Sequence, residues 1–170
     1  ASGAGSPLTP LKVRPLSYGA VWATVPWPTD APLPQDQLRQ RYLGAAQMMG
    51  VLPIGRMVPG GPDQAALFWS LPVAQIDAFP AAGLAAWQAQ ARALWPEAEP
   101  FTAAITDLSQ FTPARYAHGT LRKPHAPALV QIGDAAHRAS PQLGQGANMA
   151  LLDALALILA LAKPEPLPTY

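Results

Sequence analysis

The stretch from Gly133 to Asp153 constrains this chain more than any other. It follows an apolar run, Ala128 to Ile132, that reads as a buried strand. Next comes a loop with Gly and Pro, and then an Ala- and Leu-rich segment that reads as a helix to Ala162. The helix opens at Gly144-Gln145-Gly146-Ala147-Asn148. A helix start leaves backbone N–H groups without intrahelical partners and carries partial positive charge. Glycines there let a flat ligand approach the backbone, and negative charge is stabilised beside it. Asp134 sits just past the expected strand, where open α/β sheets place ligand-binding groups. A carboxylate there can accept hydrogen bonds from a sugar-like hydroxyl.

The other residues of the stretch add to the pattern. Gly133-Asp134-Ala135-Ala136-His137, then Pro141, then Gly144-x-Gly146-x-Asn148, then Asp153, resembles the second flavin-binding motif of the FAD-dependent aromatic hydroxylases, the para-hydroxybenzoate hydroxylase-like family. The resemblance implies that Gly133, Asp134, Pro141, Gly144, Gln145, Gly146, Ala147 and Asn148 contact FAD. Asp134 would bond the ribityl hydroxyls, and Pro141 would lie beside the isoalloxazine ring, near where oxygen adds. The N–H groups of Gly146, Ala147 and Asn148 would face the pyrimidine edge and stabilise the anionic reduced ring. Pro141 and Gly146 are therefore the positions closest to the chemistry. Without the resemblance, Asp134 and Asn148 read equally as turn or helix caps. His137 reads as structural, bonded to backbone, and Asp153 as paired with a backbone or side-chain donor.

Composition excludes several other classes. Half of the 170 residues are hydrophobic, 12% are charged and the net charge is +1, so the chain is globular. There is no block of Lys or Arg, which implies neither nucleic acid nor an anionic membrane as partner. No cysteine is present, which rules out disulfides and thiolate metal sites. The start has no basic and apolar Sec-type signal. The run from Met149 to Ala162 falls short of the roughly twenty residues of a membrane span. A buried core helix in a cytoplasmic protein is the expectation. The 21 prolines are scattered between apolar runs and suggest rigid loops and short strands.

Ahead of the motif the pattern is strand-rich. Tyr18 to Trp27, Met48 to Ile54 and Ala65 to Leu71 read as strands, whereas Gln37 to Leu43 is either a short helix or an edge strand. Leu84, Trp87, Ala91 and Leu94 make one apolar helix face, ended by Pro96, with Trp87 and Trp95 as core residues. Phe101 to Ile105 is a short helix or an extended segment. Leu108 to Tyr116 and Gly119 to Arg122 read as two strands, with Tyr116 and His118 as ordinary sheet surface or as substrate contacts.

The expected fold is therefore α+β: a mixed β-sheet domain with flanking helices, plus a strand-loop-helix piece of an FAD-binding α/β domain. Gly3, Ser6 and Leu8 match part of a further family motif, and Leu52 to Leu71 is similar to the family's middle domain. The expected boundaries are 1–8 for the end of a flavin-domain segment, 9–127 for a substrate-binding middle domain and 128–170 for the second flavin motif. The family's Gly-x-Gly-x-x-Gly fingerprint is not in the sequence. That implies a fragment, one that by itself binds FAD weakly or not at all. The resemblance implies a parent monooxygenase in which NADH or NADPH reduces FAD. Reduced FAD takes up molecular oxygen, and a flavin hydroperoxide hydroxylates an aromatic or hydrophobic small molecule. A halogenase, an epoxidase, a reductase or a non-catalytic β-rich binding domain are the alternatives.

Overall fold

The computed structural model describes residues 10–141 and 144–163. The expectations placed on Gly3, Ser6 and Leu8, and on the Pro-rich tail from Pro164, lie outside the described residues. The chain is α+β, as expected. The strands are β1 (Arg14–Pro26), β2 (Arg39–Leu43), β3 (Gln47–Arg56), β4 (Asp63–Pro72), β5 (Thr112–Thr120), β6 (His125–Ala126), β7 (Leu129–Val130) and β8 (His137–Arg138). The helices are α1 (Val73–Ile76), α2 (Leu84–Leu94), α3 (Glu99–Ala103) and α4 (Gly146–Leu161). One sheet has the order β2-β3-β4-β1-β5-β8, and β6-β7 is a separate ladder. The pairings β1–β4, β2–β3, β3–β4 and β5–β8 are all antiparallel. Two compact units form: Ser17–Arg115, and the residues on either side of it.

The core of Ser17–Arg115 follows from strand alternation. Val21, Ala23 and Val25 of β1 are buried, whereas Trp22 and Thr24 between them are exposed. Their partners across the ladder, Trp69, Leu67 and Ala65, are buried too, and Met49 and Val51 of β3 continue the face. The helices cover it. Trp87 and Ala91 of α2 are buried, with Leu84 and Leu94 packed at the margin, so the three-and-four spacing is borne out. Phe101 of α3 is fully buried, edge-on to Trp27 at 4.9 Å. Trp87 meets Phe111 in the same way at 5.0 Å. Such pairs add about 0.5–1.5 kcal/mol beyond the area they bury. Trp95 is buried as expected.

The ambiguous segment at Gln37 to Leu43 resolves as the edge strand β2, paired with β3 from Arg39↔Val51 to Leu43↔Gln47. Phe101 to Ile105 resolves as the end of α3 and the turn after it. Gly19 is required where it stands, because a Cβ would run into the carbonyl of Ala114 on β5.

Three expectations need correction. Leu108–Gln110 is a 3-10 turn, not strand. Asp107 caps it, accepting from the Ser109 N–H at 2.7 Å, and the Gln110 side chain accepts back from the Asp107 N–H at 2.9 Å. The two strands expected between Leu108 and Arg122 are one, β5. Gly119 fits inside it because a Cβ there would lie 2.7 Å from the Lys12 carbonyl, so glycine lets the neighbouring backbone in.

The third concerns α4. The expected buried core helix has only Ala160 buried, and Leu151 (69%), Leu152 (64%), Ile158 (65%) and Leu159 (60%) are exposed. Its sequence is apolar on nearly every side, so it specifies no inner face. Among the described residues, no helix is long and apolar enough to cross a membrane.

Candidate functional site

The site residues lie on the unit that contains Tyr116–Tyr170. The strand expected over Ala128 to Ile132 shrinks to Leu129–Val130, half-buried and paired with His125–Ala126. Ala128 adopts φ +59, a turn conformation, so the strand cannot begin there. Ile132 is extended and Gly133 turns the chain at φ +57 into a 3-10 turn, Gly133–Ala135. A side chain at Gly133 would be strained there, and its Cβ would press on Ala150 of α4 at 3.3 Å. The sequence thus places a glycine where the loop sits against the helix.

One carboxylate fixes that seat. Asp153 Oδ2 accepts from the Gly133 N–H at 2.7 Å and from the His137 ring Nε2–H at 2.6 Å. The two side chains are 18% and 19% exposed. Asp153 is thus paired with both a backbone and a side-chain donor. His137 is structural but bonds this carboxylate, not the backbone that was expected. The Asp153 oxygen therefore holds the loop at both ends of the segment Gly133 to His137. Charge-assisted hydrogen bonds of this kind are worth about 1.5–3 kcal/mol each. Leu121 N–H donates to the Ala136 carbonyl at 2.7 Å and ties the same loop to the chain after β5.

Asp134 itself is exposed, and its carboxylate has no hydrogen-bond partner among the described residues. It caps neither the turn nor a helix. The first turn of α4 is also open. Gln145 takes the N-cap position without a side-chain cap bond, and Gly144, Gly146, Ala147 and Asn148 are exposed. Asn148 Nδ2 donates to Gln145 Oε1 at 3.3 Å instead of capping the helix. Gly144 has φ +61 with open space where a Cβ would be, and its N–H donates to the Pro141 carbonyl at 2.9 Å. Pro141 is exposed. Of the residues expected to face FAD, Asp134, Pro141, Gly144, Gln145, Gly146, Ala147 and Asn148 are at the surface of this unit. Gly133, buried under the loop, plays the structural part.

This arrangement fits a flavin. An exposed acceptor, glycines with open space beside them and a helix start without a side-chain cap suit hydroxyls and an electron-rich ring edge. Tyr116 is half-buried on β5, and burial pushes its phenol above the usual range, whereas His118 is exposed. Neither contacts the residues above through a hydrogen bond among the described residues. The double role of Asp153 was hidden in sequence, although an acid inside an apolar helix is the signal that it has a partner.

A comparison with curated proteins finds no significant match. Among solved structures, the chain is similar to Pseudomonas aeruginosa PqsL, crystallised with 2-aminobenzoylacetate and described as a probable FAD-dependent monooxygenase. Identity is 24%, the TM-score 0.72, and the match covers 91% of this chain and 40% of that one. It is similar to 2-methyl-3-hydroxypyridine-5-carboxylic acid oxygenase at 18% identity and a TM-score of 0.67, over 92% of this chain and 41% of that one. It is also similar to a Klebsiella pneumoniae HpxO variant complexed with FAD, at 20% identity and a TM-score of 0.63, over 94% and 40%. The chain spans about 40% of the length of these structures, which share its fold. The model of the FAD binding domain family matches residues 72–165, more than half of the chain. That span includes the Asp153-clamped loop and the open start of α4, and the chain belongs to the FAD binding domain family.

Proposed function

We propose that this chain is part of an FAD-dependent monooxygenase that uses molecular oxygen to hydroxylate an aromatic or hydrophobic small molecule, with NADH or NADPH as reductant. The observation that carries the reading is the unpartnered, exposed Asp134 carboxylate on a loop clamped to the helix whose first turn is open. In this reading Asp134 accepts hydrogen bonds from the ribityl hydroxyls. The N–H groups of Gly146, Ala147 and Asn148 meet the pyrimidine edge, where the helix start favours negative charge. Pro141, with Gly144 and Gln145, borders the ring. Bound FAD supplies the electron transfer and oxygen chemistry, and the protein supplies orientation and electrostatics. Residues 9–127 form the substrate-binding part, 128–170 the flavin part, and 1–8 the end of a preceding flavin segment.

The substrate class finds support in two of the similar structures, one named for its complex with 2-aminobenzoylacetate and one for a hydroxypyridine carboxylic acid. FAD finds support in the family and in the HpxO complex. The 170-residue chain alone binds FAD weakly or not at all, because its flavin-facing groups offer few contacts besides Asp134 and one helix turn. The test is Asp134→Ala in the full-length protein. FAD affinity should fall roughly ten- to a hundred-fold, the value of a charge-assisted hydrogen bond. Unchanged affinity with intact fold would refute the assignment, and NAD(P)H-dependent incorporation of oxygen into product checks the reaction class.

A further inference from the structure

Asp134 is exposed, and its carboxylate has no hydrogen-bond partner among the described residues, so no bond of its own fixes its direction. The chain on both sides of it is fixed instead. Just before it, the Gly133 N–H donates to Asp153 Oδ2 at 2.7 Å. Just beyond it, the His137 Nε2–H donates to the same oxygen at 2.6 Å.

The span between these anchors is short and braced from within. The Ala136 N–H donates to the Gly133 carbonyl at 2.9 Å, and the Ala136 carbonyl accepts from the Leu121 N–H at 2.7 Å. The His137 and Asp153 side chains are mostly buried, so water competes little for the bond between them. His137 opens β8 and Asp153 lies in α4, so this bond ties the far end of the loop to the helix. A ligand group on such a loop is aimed in advance. Affinity then scales with the share of loop conformations that aim it correctly.

We propose, on the reading of Asp134 as the acceptor for the ribityl hydroxyls, that His137 is a positioning residue for FAD. Paired with Asp153, it holds the loop in the conformation from which Asp134 reaches those hydroxyls, without touching the cofactor itself. Two consequences separate this role from plain loop stability. The effect of losing His137 runs through Asp134, so it is smaller than the effect of losing Asp134 and vanishes once Asp134 is gone. Linkage is also reciprocal: a clamp that strengthens FAD binding is itself strengthened by bound FAD.

The test is a double-mutant cycle in the full-length protein, with FAD affinity read from the change in flavin fluorescence on titration. His137→Leu should weaken FAD binding about three- to tenfold, as the competent share of loop conformations falls with one lost hydrogen bond. His137→Gln, whose amide N–H replaces the ring donor, should recover most of that loss. In the Asp134→Ala background, His137→Leu should leave the affinity where it is. Amide exchange at Gly133 in the unsubstituted protein should slow when FAD binds. Additive losses in the double variant, no recovery in His137→Gln, or a folded His137→Leu with undiminished affinity would overturn the positioning role. If His137→Leu fails to fold, the exchange measurement decides, and a Gly133 rate unchanged by saturating FAD overturns it. Asp134→Ala without effect would instead sink the reading of Asp134, so the two failures are distinct.

Discussion

Helices α2 and α4 are both rich in Ala and Leu, yet they meet their surroundings differently. α2 spaces its large apolar residues by three and four, and Trp87 and Ala91 are buried against the sheet. α4 has more apolar residues but leaves Leu151, Leu152, Leu155, Ile158, Leu159 and Leu161 exposed. What it does bury or half-bury lies on one broad stripe, Met149, Ala150, Asp153, Ala154, Leu157 and Ala160, and the charged member of that stripe makes its best-defined bonds. The contrast shows that the amount of apolar surface does not decide what a helix packs against. Sidedness does for α2, and a single carboxylate does for α4.

Substitutions at three positions sharpen or break this contrast. The largest effect belongs to the tightly packed unit. Phe101→Ala removes a fully buried ring that meets Trp27 edge-on, and should destabilise the protein by about 3–5 kcal/mol in chemical denaturation. A loss under ~1 kcal/mol would mean that this core is far looser than its packing implies. Next comes Asp153→Leu, which strands the Gly133 N–H and the His137 ring without their acceptor. A destabilisation of about 2–3 kcal/mol is expected, with faster amide exchange at Gly133. Asp153→Asn, which keeps one acceptor oxygen, should cost less. The smallest is Leu155→Ala, at a position 52% exposed. In the 170-residue chain it should change stability by no more than ~0.5 kcal/mol. A cost above ~2 kcal/mol would show that α4 is covered in solution and that the contrast with α2 is false.

Much of this was legible in the sequence, and for identifiable reasons. Alternation exposed β1, because Val21, Ala23 and Val25 face one way and Trp22 and Thr24 the other, and the apolar run Ala65 to Leu71 exposed β4, which is buried on both faces. The spacing of Trp87 and Ala91 marked α2, and the glycines and Asp134 marked the candidate site. The choice at Arg39–Leu43 was not legible, since it depends on pairing with Val51 to Gln47, which is not local. The exposure of α4 was equally hidden. A helix apolar on nearly all sides encodes no direction, so only its tertiary contacts assign one. The shortness of β7 came from Ala128 taking a conformation that composition alone does not announce.

The shared oxygen of Asp153 acts like a gear tooth between loop and helix. Each residue added to a helix turns everything beyond it by about 100°. An insertion between Ala150 and Asp153 would therefore keep the glycine seat while swinging the carboxylate off both its donors. Within this chain the exposed side chains of Leu151 and Leu152 have little packing to lose on exchange, whereas the count of residues between the two anchors sets where the carboxylate points. Length, not chemistry, is what this short span must preserve.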